Sequence, residues 1–433
     1  MSLLNARGVL RRYAGRMHPY DSITRKQIEE RGSRKWTEYP GAIGAWIAEM
    51  DFGIAPVIRE ALKVIDEDQL YGYTPPALLK GLGEATAEFY ASRYGWEFSA
   101  ENVFPVSDVL LGMGGFLDIL VPRGAKLVVP TPAYMPFLTI PGAFFREHVE
   151  VPQKIVDEPS PELLPGSSDG QPVPGPLAGR HWEMDFDAID AALSTAGPDG
   201  GPGGVLVLCN PHNPTGRVFT RAELERITQI VEKNGALVFS DEIHAPLTYS
   251  GFQHIPYAST SEAAARHTLT ATSHTKSFNT PGLKCAQLIF TNEDHIAAWK
   301  KHGTQFSGSA ATPGVIAGIT AYREGGEWLA DTLGYLEQTR DFIAEFAAAE
   351  LPELGYIKPQ GTYLSFFDAT SLIPRLPDGV SPQQFFVEEA RVAMNDGATT
   401  GRAGRGWVRF NMGTPRPIVQ EALESMAAAL RKL

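Results

Sequence analysis

Three residues of unlike chemistry follow three short apolar runs. Asn213 stands in "CNPHNPTG" after "GVLVL", Asp241 follows "ALVFS", and Lys276 follows "TLTATSHT" in the stretch "SHTKSFNTPG". Each has an ordinary reading by itself. An Asp after a strand is commonly a helix cap, a Lys in a polar loop is commonly solvated, and "NPTG" is first of all a turn. The ordered set argues against all three ordinary readings holding at once.

The elements that must position them alternate between apolar runs and amphipathic helices. "KLVVPTPAY" (126–134) reads as strand then turn, "GGVLVLCNPHNPTG" (203–216) as a buried strand entering a turn, and "ALVFSDEIH" (236–244), "TLTATSHTK" (268–276) and "CAQLIFT" (285–291) as further buried strands. Helical spacing appears at 55–66, 78–95 and 220–235, the last opened by Thr220 with Glu223 three residues on and closed by Gly235. Near-continuous apolar strands between helices predict an α/β fold with a mainly parallel sheet covered on both faces. Ligands of such sheets lie at the carboxyl ends of the strands. An amine, a carboxylate and an amide delivered there are what a pyridoxal phosphate site needs: a lysine for the Schiff base, a carboxylate for the protonated ring nitrogen, and donors for the ring oxygen and phosphate.

A chain of 433 residues exceeds what one core fills, so a large and a small domain are expected: 56–302 as the large domain, and 1–55 plus 303–433 as a smaller α+β domain. The latter includes a long helical region at 315–350, a helix near 382–394 and the strand "GWVRFNMG". Residues 157–181, crowded with Pro, Gly and Ser, read as a surface loop. A formal charge of −12 leaves no basic excess for a nucleic-acid partner. Cys209 and Cys285 read as reduced core residues, too few for a disulfide framework. The N-terminal stretch lacks an apolar signal region and no run is long enough to span a bilayer, so a cytoplasmic protein is expected.

"NPHNPTG", "SDEIH" and "SHTKSFNTPGLK" resemble the signatures of fold-type I pyridoxal phosphate enzymes of the class I/II aminotransferase superfamily. The resemblance runs from "AEMDF" to "VRFNMGTPR" and departs mainly at 157–181. It implies a three-layer large domain and the following roles. Lys276 is the Schiff-base lysine, Asp241 faces the ring nitrogen, and Asn213 bonds the ring oxygen. Tyr134 stacks on the ring. Ser273, Lys284 and the helix start Ser107, Asp108 and Val109 hold the phosphate, with Lys284 standing where the family commonly has Arg. Tyr73 in "YGYTPP" reaches the phosphate of a partner subunit, which implies a homodimer with a shared active site, and Arg409 grips the substrate α-carboxylate.

"WIAEMDFGIAP", "SDEIHAPLTYSGFQHIPYAS" and "TKSFNTPGLKCA" further resemble the MalY/PatB branch of cystathionine β-lyases, or C–S lyases. His244, three residues after Asp241, is either a contact of the ring or substrate or a satisfied core histidine. The resemblance implies β-elimination from an S-substituted cysteine such as cystathionine, a small amino-acid substrate. Transamination to a 2-oxo acid would use the same residues. A regulatory protein that only retains the fold is a third reading, which an intact set of Lys276, Asp241, Asn213 and Arg409 argues against.

Overall fold

The computed structural model describes residues 18–156 and 180–433. Seven strands form the central sheet: β1 (Val103–Val106), β2 (Leu127–Thr131), β3 (His148–Pro152), β4 (Val205–Cys209), β5 (Leu237–Asp241), β6 (Thr268–Thr272) and β7 (Ala286–Phe290). Their spatial order is β1-β7-β6-β5-β4-β2-β3. Strands β2 to β6 are mutually parallel, and β7 alone runs against both of its neighbours. Side chains alternate between the faces, as strand geometry requires. Leu127, Val129, Val205, Val207 and Phe239 join one core with Phe116 and Leu117, while Val128, Leu206, Leu208 and Val238 join another with Leu224, Ile227 and Val231. Because both faces are covered, β2 and β4 are apolar along nearly their whole length and do not show a period of two, whereas β6, Thr-Leu-Thr-Ala-Thr, alternates yet is buried throughout.

Among the helices, α1 is Pro76–Tyr94, α2 Val109–Ile119 and α3 Arg221–Asn234. Helix α3 begins at the expected capping box: Thr220 accepts from Glu223 N–H, and the Glu223 carboxylate accepts from Thr220 N–H at 2.7 Å. The one-turn α4 (His274–Ser277) carries Lys276. The long helical region is two helices, α5 (Thr312–Glu324) and α6 (Gly326–Glu350). Between them Gly325 N–H closes α5 on Ala321 O at 3.1 Å, and a side chain at Gly325 would strike the Phe278 ring. The helix expected over 55–66 is likewise two pieces, Pro56–Ala61 and Val64–Glu67.

A second, antiparallel sheet follows, from β8 (Gly355–Tyr356), β9 (Leu364–Asp368), β10 (Asn395–Asp396) and β11 (Trp407–Asn411), in the order β8-β9-β11-β10. Its core gathers Trp36, Met50, Phe52 and Ile58 from the N-terminal part with Phe346, Leu364, Phe410 and Leu423. The pair Ile43–Gly44 runs parallel to Val392–Ala393, tying the N-terminal segment to the C-terminal part.

The expected loop at 157–181 lies outside the described residues except for Arg180 and His181. His181 is not loop. It starts a strand, His181–Glu183, which pairs antiparallel with Lys154–Val156 and buries Trp182 against Ile357, Phe366 and Trp407. Burial of that indole outweighs the loop-like composition preceding it. Cys209 and Cys285 are buried free thiols.

Candidate active site

The trio stands at the carboxyl ends of adjacent parallel strands. Asp241 closes β5, level with Cys209 of β4, and its main-chain oxygen accepts from Asn210 N–H at 3.0 Å. Lys276 follows β6 on α4. Ser273 caps that turn, accepting from Thr275 N–H at 3.0 Å and donating to Cys285 O at 2.7 Å. Asn213 lies in a loop locked from several directions. His212 Nδ1 meets Thr215 Oγ1 at 2.8 Å, Arg217 bonds both Glu223 oxygens at 3.0 and 2.9 Å, and Gln360 Oε1 accepts from Arg217 and from Val218 N–H. Gly216, at φ +69°, turns the chain where a side chain would collide with Pro359.

The electrostatics are those of a poised site. Burial, then the Arg409 charge, push the Lys276 ammonium down to about 8. The Lys284 charge also lowers it, and is the smallest of the causes. Among the described residues no carboxylate lies within ion-pair distance of Lys276. Its Nζ donates to Ala48 O at 2.8 Å. Burial pushes the Asp241 carboxyl up to about 7, against the pull of an N–H bond from Ile243 at 3.1 Å. No described cation pairs with Asp241 either. Arg409, 2% exposed, donates to Asn213 Oδ1 at 3.0 Å, Asn395 Oδ1 at 2.6 Å and Trp46 O at 2.8 Å. With its oxygen taken by Arg409, Asn213 presents its NH₂ group as donor. His244 is 2% exposed with Nδ1 lacking a hydrogen-bond partner, and burial holds it neutral, down to about 3. That nitrogen is free for a ligand, a feature it shares with buried His254 and His274. Tyr134 is partly buried, packs edge-on to Phe137, and senses the charges of Arg409, Asp241 and Asp108.

The corner expected to take the phosphate is more open. Asp108, not Ser107, caps α2, accepting from Leu111 N–H at 2.8 Å, while Ser107 N–H donates to Ser309 Oγ at 2.9 Å. Lys284 is exposed and reaches Asp108 Oδ2 at 3.3 Å, which places the α2 start, Val109 included, beside a cation. The first turn of α2 carries N–H groups without helical partners. Tyr73 is fully exposed and contributes nothing to this subunit's own site. The sequence reading missed the polar shell of Trp46, Ala48, Tyr363, Asn395 and Asn411. Spacing held one signal, since Asn411 lies two residues from Arg409 on β11 and so shares its face.

These residues fit pyridoxal phosphate by their own chemistry. The site holds an amine with a lowered proton affinity, a buried carboxylate without a cation, a buried imidazole nitrogen without a partner, and a helix start beside a lysine. Fold and site together define a fold-type I pyridoxal phosphate enzyme. The sequence pattern of the family described as Aminotransferase class I and II matches residues 166–426. The cystathionine beta-lyase of Corynebacterium glutamicum is 34% identical, with 94% of this chain and 98% of that protein covered. The cystathionine beta-lyase PatB of Bacillus subtilis is 28% identical, with 90% and 92% covered. The structure of the PLP-bound C-S lyase from Staphylococcus hominis superimposes with a TM-score of 0.82 at 27% identity, with 95% of this chain and 99% of that one covered. The chain belongs to the class I and II aminotransferase family, and its similarity is to the MalY/PatB branch. Among the described residues no helix is long and apolar enough to cross a membrane, and no cluster of His, Cys, Asp and Glu could hold a metal ion.

Proposed function

We propose that the protein is a pyridoxal-phosphate-dependent carbon–sulfur lyase. It converts L-cystathionine and water to homocysteine, pyruvate and ammonia by β-elimination. The observation that carries the reading is the Lys276 amine, held by a backbone carbonyl instead of a carboxylate, among the charges of Arg409, Glu49 and Asp241. An amine without a carboxylate partner can be neutral near physiological pH, which both covalent binding of a carbonyl and proton abstraction require.

When bound, pyridoxal phosphate supplies an electron sink for the charge left at the substrate Cα. Lys276 would hold it covalently, and the same amine, when free, would take the substrate Cα proton. The Asp241 carboxylate would keep the ring nitrogen protonated. Asn213 would donate to the ring oxygen, with neutral His244 beside it, and Tyr134 would cover the ring. Lys284 and the backbone N–H groups of Asp108 and Val109 would hold the phosphate, while the Ser273 hydroxyl and the Ser107 N–H, expected there too, are donated to Cys285 O and Ser309 Oγ. Arg409 takes the substrate α-carboxylate and turns the Cα–H bond toward Lys276, and positioning of this kind supplies several kcal/mol of a barrier. The thiolate leaves from Cβ because its electron pair departs more readily than that of an alkoxide or amide.

We assign the cytoplasm as its compartment and a homodimer as its active form, in which the fully exposed Tyr73 reaches the partner's phosphate corner. Mixed Tyr73→Phe and Lys276→Ala subunits, each inactive alone, should regain activity on exchange. Absence of activity after demonstrated exchange would remove Tyr73 from the shared site. The reaction is tested with cystathionine and no keto acid: pyruvate, ammonia and thiol should appear in equal amounts over many turnovers. A stall after one turnover, relieved by a keto acid and without thiol, would make the protein an aminotransferase.

A further inference from the structure

Segment 46–51 offers six successive carbonyls, and every one receives a side-chain donor. Trp46 O takes Arg409, Ile47 O takes Asn411 at 2.5 Å, and Ala48 O takes Lys276 at 2.8 Å and the Tyr363 hydroxyl at 3.0 Å. Glu49 O takes Asn411 at 2.7 Å and Lys35 at 3.2 Å, Met50 O takes Asn279 at 2.7 Å, and Asp51 O takes Arg31 at 2.6 Å. The segment is bent, because Glu49 N–H returns to Ile47 O at 2.9 Å. Ala48 is therefore the apex of a three-residue turn. The carbonyls on both sides of that apex are tied to one carboxamide. Asn411 is 0% exposed and fully used: its NH₂ bonds Ile47 O and Glu49 O, and its oxygen accepts from Gly413 N–H at 2.7 Å.

We propose that Asn411 is a positioning residue for Lys276. By clamping the two flanks of the turn, it aims the Ala48 carbonyl at the lysine amine. The amine then donates one hydrogen to a fixed acceptor, and its lone pair is left in one direction. Tyr363 shares the same carbonyl and limits how strongly Ala48 holds the ammonium. The inference rests on the reading of Lys276 as the residue that binds the cofactor and moves the Cα proton.

The test compares Asn411→Ala and Tyr363→Phe with the parent enzyme. In protein freed of cofactor, the pH midpoint for trace acetylation of Lys276 is read by mass spectrometry. A carbonyl acceptor favours the ammonium, so Asn411→Ala should lower the midpoint by about half a pH unit or more, and Tyr363→Phe, which removes a competing donor, should raise it. In the loaded enzyme Asn411→Ala should lower kcat about tenfold to a hundredfold, with KM moving less than about threefold. Midpoints and kcat equal to the parent's, while borohydride still fixes the cofactor on Lys276, would overturn the role of Asn411 alone. Should Asn411→Ala fail to fold, an unmoved midpoint in Tyr363→Phe would overturn it equally. Fixation on another residue would overturn the active-site reading and this inference with it.

Discussion

Lys35 and Lys276 reach neighbouring carbonyls of the same segment, Glu49 O and Ala48 O, yet their surroundings make them different groups. Lys35 is 1% exposed and closes a 2.8 Å ion pair with Asp51, whose other oxygen accepts from the Trp36 indole at 3.0 Å. Lys276 has a carbonyl and, among the described residues, no carboxylate within ion-pair distance; Arg409 opposes its charge, and Glu49 and Asp241 favour it from farther off. A paired buried lysine is held by its carboxylate and joins two parts of the chain. An unpaired one carries the desolvation cost of its charge and sheds its proton more easily. The carboxylates differ in the same way: Asp51 is satisfied by Lys35, whereas Asp241 is buried without a cation and is pushed up to about 7. The protein spends one lysine and one carboxylate on each other, and leaves the other lysine and carboxylate for a ligand.

The largest effect should come from Lys276→Ala. Turnover of cystathionine should fall by at least about 10⁴-fold, and borohydride should leave no cofactor attached. Retained covalent cofactor in that variant would erase the distinction between the lysines. Asp241→Ala should still take up cofactor through the phosphate corner but lose about a hundredfold or more in rate, measured as pyruvate release. Near-normal turnover would make Asp241 as structural as Asp51. Lys35→Met leaves Asp51 buried without its cation and should lower stability by about 3–5 kcal/mol in denaturant unfolding, while borohydride still fixes the cofactor on Lys276. Smallest, and sharpest for the comparison, is pH. The folded Lys276 is shifted below the usual lysine value, so its amine is mainly neutral above about pH 8. Trace acetylation of cofactor-free protein should label Lys276 with a midpoint near that pH, and should leave Lys35 unlabelled because it is buried and paired. Equal labelling of the two would contradict the contrast.

Much of this was legible because it is local. A capping box shows itself within four residues, as at Thr220 and Glu223. An apolar run followed by a polar residue marks a strand end, so the sequence sets Asn213, Asp241 and Lys276 at the carboxyl ends of strands. The breaks at Gly325 and within 55–66, and the strand beginning at His181, were not legible. They depend on what packs against them, such as Phe278 against Gly325 and Trp407 against Trp182.

What the sequence alone determined was the inventory and its order: an amine, a carboxylate and an amide, each at the close of an apolar strand, in a chain whose pattern forces a covered parallel sheet. Only the tertiary structure decided which acceptor each lysine meets. Asp51 is 16 residues from Lys35, whereas the carbonyl that holds Lys276 is 228 residues away. The clamp beneath it joins Asn411 to Ile47 across 364 residues. Such pairings are set by closure of the two cores around the site, which brings distant donors to a bent backbone segment. No local pattern of residue types encodes which carbonyl a distant amide will reach.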